Sequence, residues 1–279
     1  MLTDEQKEQI EIENKAISKN IHNIRHRILV FSGKGGVGKT TVSVNLAYGL
    51  RIKGYRTGLL DADVTGPDVP KMLGLTGEMH VHERRIVPHI CHDLKVVSIA
   101  SLLQPDQPVI WRGPMRSKVL HQFLGDVEWG KLDYLVADLP PGTGDEIISL
   151  TQKMEPDLAI IVTTPQEISL IDSARAINMA RKMNVPRIAV IENMSGLICP
   201  VCATHIDLFG TGGGEKQAEL MGVSFLGRLP IDIEARKMAD NGKPVILENI
   251  NSDISVALAS IVDNIEEMLN ERHQSTTKQ

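Results

Sequence analysis

Apolar residues along this chain gather in short blocks separated by polar or glycine-rich stretches. Arg27-Ile28-Leu29-Val30-Phe31-Ser32 is one such block and reads as a buried strand. Residues 41–53 change period, with Val44, Leu46, Ala47 and Leu50 at helical spacing. Gly58-Leu59-Leu60-Asp61 and the runs 93–100, 133–138, 158–163 and 187–193 read as further strands. Helices are predicted from Trp111-Arg112-Gly113-Pro114 to about Leu124 and from Pro165 to about Met183. Between residues 79 and 93, Val81, Ile86, Val87 and Ile90 alternate with polar residues, as in a surface hairpin. Short strands alternating with helices predict an α/β fold: one doubly wound, mostly parallel sheet with helices on both faces.

The ends differ from this middle. Residues 1–24 are charge-rich, with Ile10, Ile17, Ile21 and Ile24 spaced for one helical face. They read either as a helical arm or as a disordered leader. Residues 25–272 form the expected globular domain. An amphipathic, acidic helix over residues 253–270 closes it, and residues 273–279 are a polar tail.

The chemistry concentrates in Gly33-Lys34-Gly35-Gly36-Val37-Gly38-Lys39-Thr40, a full match to G-x-x-x-x-G-K-[ST]. Glycines let the backbone turn tightly and aim successive N–H groups at a phosphate chain. The helix that begins at Thr41 adds the positive end of its dipole. Lys39 is placed to reach the β- and γ-phosphates and Thr40 to ligate Mg²⁺. Gly33, Gly35 and Gly38 also satisfy G-x-G-x-x-G, but a dinucleotide fold has no use for the Lys39-Thr40 pair. Two apolar strands then end in acids. Asp61 opens D-A-D-V-T-G-P-D and is expected in the Mg²⁺ shell or the loop around it. Asp138 opens D-L-P-P-G-T-G-D, a Walker B arrangement that holds Mg²⁺ directly or through water.

Composition narrows the function. A net charge of -5 gives no electrostatic case for non-specific binding to nucleic acid or anionic membrane, and no apolar run is long enough to span a bilayer. The first residues are charged rather than signal-like. Two of only three cysteines form Cys199-Pro200-Val201-Cys202, which points to a ligand or redox role in a reducing, cytoplasmic setting. Two thiolates hold one edge of a metal site and cannot complete a four-ligand set alone. A symmetric dimer supplies the missing pair. A shared [4Fe–4S] cluster, structural zinc and dithiol redox chemistry compete as readings. His80, His82, His89, Cys91 and His92 crowd another stretch, but their spacing fits no recognised zinc pattern.

The second loop lysine, Lys34, makes K-G-G-V-G-K-T-T resemble the deviant phosphate loop of MinD, ParA and nitrogenase iron-protein ATPases. With W-R-G-P at residues 111–114, E-N-M-S at 192–195 and C-P-V-C at 199–202, residues 25 to 270 closely resemble the Mrp/ApbC family of iron–sulfur carrier ATPases. The resemblance implies a face-to-face homodimer in which Lys34 reaches the partner's nucleotide. It implies that Asp63 orients the attacking water. It places Asn193, Pro230 and Asp232 beside the adenine, and makes residues 138–145 switch II. It implies weak ATP hydrolysis coupled to a [4Fe–4S] cluster on Cys199 and Cys202 of both chains, delivered to apo iron–sulfur proteins. The competing reading is a positioning ATPase of the MinD or ParA kind with structural zinc at the cysteines. That reading needs a basic DNA-binding surface or a membrane-binding terminal helix, and the sequence offers neither.

Overall fold

The computed structural model describes residues 3–64, 66–83, 85–102, 113–142 and 144–271. Trp111 and Arg112, Thr65 and Thr143 of the two acidic loops, and the tail 273–279 lie outside the described residues. In chain order the strands are β1 (Ile24–Phe31), β2 (Thr57–Asp61), β3 (Val81–His82), β4 (Arg85–Ile86), β5 (His89–Cys91), β6 (Leu94–Ser98), β7 (Leu132–Asp138), β8 (Leu158–Thr163), β9 (Ile188–Glu192), β10 (Leu197–Ile198), β11 (His205–Ile206) and β12 (Ser224–Arg228). The helices are α1 (Asp4–Ile21), α2 (Lys39–Ile52), α3 (Val69–Met72), α4 (Gly113–Gly125), α5 (Asp145–Met154), α6 (Glu167–Lys182), α7 (Gly213–Met221), α8 (Ile233–Asp240), α9 (Val245–Glu248) and α10 (Asp253–Asn270).

Eight strands form the central sheet in the order β12-β9-β8-β1-β7-β2-β6-β5. Every ladder is parallel except β5 on β6 at the edge. The predicted doubly wound, mostly parallel sheet is the fold observed. Strand β1 explains why its sequence is continuously apolar. Ile28 and Val30 enter the core on one face, Leu29 and Phe31 enter the core on the other, and none is more than 1% exposed. The chain winds outward from β1 in both directions, so the carboxyl ends of β1, β7 and β2 open onto the crevice where such sheets bind ligands.

Three local expectations change. Strand β1 starts at Ile24, so the four N-terminal isoleucines do not share one helical face. Thr3 caps α1 in a reciprocal box with Gln6, and the helix ends at Ile21. Ile17 and Ile21 are buried in the core, whereas Ile10 is 42% exposed. The Asn20 amide donates to the carbonyls of Leu124, Gly125 and Val127 at 2.9–3.0 Å, which fastens α1 beside the end of α4. The alternating stretch near residue 85 divides into two antiparallel pairs, β3 with β4 and β5 with β6. Residues 224–228, for which the sequence predicts no strand, form the other edge strand, β12. Among the described residues, no helix is long and apolar enough to cross a membrane.

Candidate nucleotide and cysteine sites

The phosphate loop runs from the end of β1 to α2. Gly36 and Gly38 hold φ of 79° and 82°, a left-handed conformation that side chains resist. At Gly33 the constraint is space: a Cβ there would stand 2.2 Å from the Asp172 carbonyl oxygen on α6. The Ser32 hydroxyl donates to the Lys34 carbonyl at 2.8 Å and closes the turn. No side chain caps the start of α2, so its first amides are available to an anion.

Behind the loop, Asp138 is fully buried at the end of β7 and gathers three donors. The Lys39 ammonium lies 2.8 Å from Oδ1, the Thr40 hydroxyl donates to Oδ2 at 2.8 Å, and the Ser43 hydroxyl donates to Oδ1 at 2.6 Å. The β2–β7 register sets Asp61 directly beside Asp138. Asp61 is also fully buried, with the Ser98 hydroxyl on Oδ2 at 2.8 Å and the Asp63 amide on Oδ1 at 3.2 Å. Burial, and secondarily the charge of Asp138, push the Asp61 carboxyl well above the usual carboxylate range. Two buried carboxylates therefore face one ammonium. A hard divalent cation fits this imbalance, and Thr40 with the two aspartates supplies the oxygen ligands that Mg²⁺ prefers. Asp63 is buried, and its Oδ1 accepts the Gly66 amide at 3.1 Å.

Beside the loop opens a cavity of about 530 Å³ whose lining includes Gly38, Thr41, Asn193, Pro230 and Asp232. These residues come from distant parts of the sequence. Asn193 follows β9, and its amide donates to the Val37 carbonyl of the phosphate loop at 2.8 Å. Asp232 caps α8 by accepting the Ala235 amide at 2.9 Å. Phe209 and Arg236 also line the cavity and carry no motif by which sequence reasoning could find them.

The cysteines occupy the turn of the small hairpin β10–β11. The Cys199 amide donates to the Thr204 carbonyl and the Ala203 amide returns to the Cys199 carbonyl, each at 2.9 Å. Ala203 takes a left-handed φ of 56° to close the knuckle. Cys199 is half-buried and Cys202 exposed, with Cys202 Sγ 3.2 Å from Thr204 Oγ1. Hydrogen bonding from Thr204, and then from Cys199, holds the Cys202 thiol below its usual range, which favours the thiolate that binds metal. Val201 at the tip is 92% exposed. Among the described residues, no three His, Cys, Asp or Glu side chains converge as a metal site, so the knuckle carries a pair of ligands.

Comparison with known proteins agrees with this geometry. The family model described as ParA, NUBPL iron-transfer P-loop NTPase, matches residues 23–266. The iron-sulfur cluster carrier protein of Pyrococcus horikoshii is 51% identical over 235 residues, covering 80% of this chain and 80% of that one. The protein of the same name from Methanocaldococcus jannaschii is 51% identical over 236 residues, covering 83% and 81%. A nucleotide-binding protein from Archaeoglobus fulgidus, solved in complex with ADP, superposes with a TM-score of 0.75 at 36% identity, over 86% of this chain and 94% of that one. The cell division ATPase MinD of Pyrococcus furiosus shares the fold, with a TM-score of 0.65 at 20% identity over 88% and 99%. With its phosphate loop, buried acid pair and flanking cavity joined in one sheet, this chain belongs to the ParA/NUBPL family of iron-transfer P-loop NTPases.

Proposed function

We propose that this chain is a weak ATPase that carries a [4Fe–4S] cluster between two copies of itself and delivers it to apo iron–sulfur proteins. The observation that carries the reading is the knuckle. Cys199 and Cys202 project on a hairpin, one thiol is biased toward thiolate, and the pair supplies half of a four-ligand set. Two copies related by a two-fold axis complete it. The relatives named as cluster carriers support the cargo. A reducing cytoplasm suits thiols left unpaired.

The nucleotide chemistry follows from the buried cluster at Asp138. Mg²⁺ would supply positive charge against the phosphate oxygens. Thr40 and Asp138 would hold it, with Asp61 behind. Lys39, now engaged with Asp138, turns to the β- and γ-phosphates. The amides of Gly33 to Thr41 cradle the phosphate chain, and Lys34 answers the partner's nucleotide. Asp63 places a water in line with the γ-phosphorus; the water oxygen bonds to phosphorus as the P–O bond to ADP breaks, and ADP and inorganic phosphate leave, the water's proton passing to solvent. Asn193, Pro230 and Asp232 hold the adenine side. Residues 138–145 act as switch II, and the Gly142 amide already rests on the Ser32 carbonyl at 2.9 Å.

The test is anaerobic reconstitution with iron and sulfide, comparing wild type with Cys199→Ala/Cys202→Ala by absorbance and metal analysis. A brown dimer with about four irons per pair of chains, absent in the variant, supports the carrier. A colourless wild type that retains stoichiometric zinc overturns it and favours a positioning or remodelling ATPase.

A further inference from the structure

Glu192 ends β9, is fully buried, and takes no part in the nucleotide chemistry described above. A carboxylate is buried at such a position only where donors replace its water. Its three donors come from the two ends of one loop. The Ser195 hydroxyl reaches Oε1 at 2.5 Å, the Gly212 amide reaches Oε1 at 2.9 Å, and the Gly214 amide reaches Oε2 at 2.5 Å. Ser195 opens the segment that carries the cysteines, and Gly212 closes it at the start of α7. No α7 side chain caps that helix; the Glu192 carboxylate takes the place of the cap. The glycines make the approach possible, because a Cβ on Gly213 would stand 2.5 Å from the Pro165 carbonyl oxygen and one on Gly214 3.0 Å from the Glu192 Cβ.

The clasp is joined to the nucleotide cavity through the chain on either side of it. Asn193, the next residue, lines that cavity and holds the Val37 carbonyl. Pro230, on another wall, lies between the two residues that grip the base of the cysteine hairpin. The Ser195 amide donates to Leu229, and the Ile231 amide donates to Gly196, at 2.9 and 2.8 Å. The Leu229 amide returns to the Glu192 carbonyl at 2.8 Å. Cavity walls and hairpin anchors are thus neighbours in the chain and share one hydrogen-bonded frame.

We infer that Glu192 is the positioning residue of the cysteine loop: its clasp sets where Cys199 and Cys202 stand and passes occupancy of the adjoining nucleotide cavity on to them. This rests on the reading that those cysteines are the cargo site. The frame is made only of hydrogen bonds within this chain, so it is tested separately.

The experiment uses the full chain, with Glu192→Gln and Ser195→Ala beside wild type. Glutamine keeps the shape of Glu192 but turns an NH₂ toward donors that need an acceptor. In cluster-free protein, the alkylation rate of Cys199 and Cys202 by iodoacetamide is followed by mass spectrometry, with and without Mg²⁺ and ADP or a non-hydrolysable ATP analogue. Nucleotide changes the wild-type rate by roughly fivefold or more, the scale of ordinary site-to-site coupling. Glu192→Gln binds nucleotide with wild-type affinity, alkylates faster, and loses the nucleotide response. Ser195→Ala, which removes one tie, shows the same pattern in weaker form. In reconstituted protein, Glu192→Gln gives up iron to a chelator faster than wild type. A wild-type rate indifferent to nucleotide overturns the inference, as do variants that keep the full response. Variants that lose nucleotide binding together with the response make Glu192 a general scaffold and also overturn it. A wild type that takes up no cluster removes the carrier reading, while the alkylation arms still decide the clasp.

Discussion

The nucleotide site and the cysteine knuckle stand on the same sheet and are built in opposite ways. At the first, Asp138 is fully buried and receives Lys39, Thr40 and Ser43 at once. At the second, Val201 stands 92% exposed over two thiols with no third protein ligand among the described residues. At the buried site the charge and hydrogen-bonding partners of Asp138 come from its own chain. The knuckle is shaped by a few backbone bonds and needs other chemistry to complete it. Substitutions at the first should therefore act on stability and turnover together. At the second they should act on cargo alone.

Lys39→Ala is the strongest way to break that contrast. It should lower ATP turnover by about 10²- to 10³-fold, the usual cost of deleting one preorganised electrostatic contact. It also leaves two buried acids without their ammonium, so the nucleotide-free protein should lose about 3 kcal/mol in denaturant unfolding. Ser43→Ala removes one donor from Asp138 and should cost about 1–2 kcal/mol with a smaller loss of turnover.

Acidity sharpens the comparison further. The folded-state Asp61 carboxyl titrates well above its unfolded value, so between those values the native chain binds more protons than the unfolded one. Stability contributed by that proton is present at low pH and lost as pH rises through the folded value. Asp61→Asn should flatten this fall in a series of melts against pH. His26 has the reverse sign: burial, outweighing the attraction of Asp157, lowers its pKa where it stacks on Tyr134. Native protein should lose stability as pH drops below about 6.5, where the unfolded imidazole takes up a proton. His26→Phe should remove that dependence. The smallest effect is expected at the knuckle, where Cys199→Ala/Cys202→Ala should move unfolding by no more than about 0.5 kcal/mol and leave basal turnover unchanged.

Sequence reading found those parts whose chemistry depends on neighbours in the chain. The phosphate loop is one, because its amides, Lys39 and Thr40 work at fixed spacing along one turn. Asp61 and Asp138 are others, because an acid closing an apolar strand must lie at the sheet's carboxyl edge. Asn193, Pro230 and Asp232 came from family resemblance, and the structure does bring them to one cavity with Gly38 and Thr41. Ser43 was missed although it lies four residues beyond Lys39 on the same helix face, a spacing that could have pointed to it. Glu192 opens the E-N-M-S motif, but nothing along the chain shows which loop ends will meet it, and Thr204 carried no signal at all. The N-terminal isoleucines misled because a helical period continued by chance into β1.

By itself, then, the sequence determined the alternating α/β order, the phosphate loop and the cysteine pair, because each is local and periodic or a compact motif. The tertiary structure alone decided the rest. It set Asp61 beside Asp138 through strand register, fastened α1 through Asn20, and tied both ends of the cysteine loop to one buried carboxylate. Such contacts depend on chain closure over long separations, and their strength comes from the burial that only the completed fold provides.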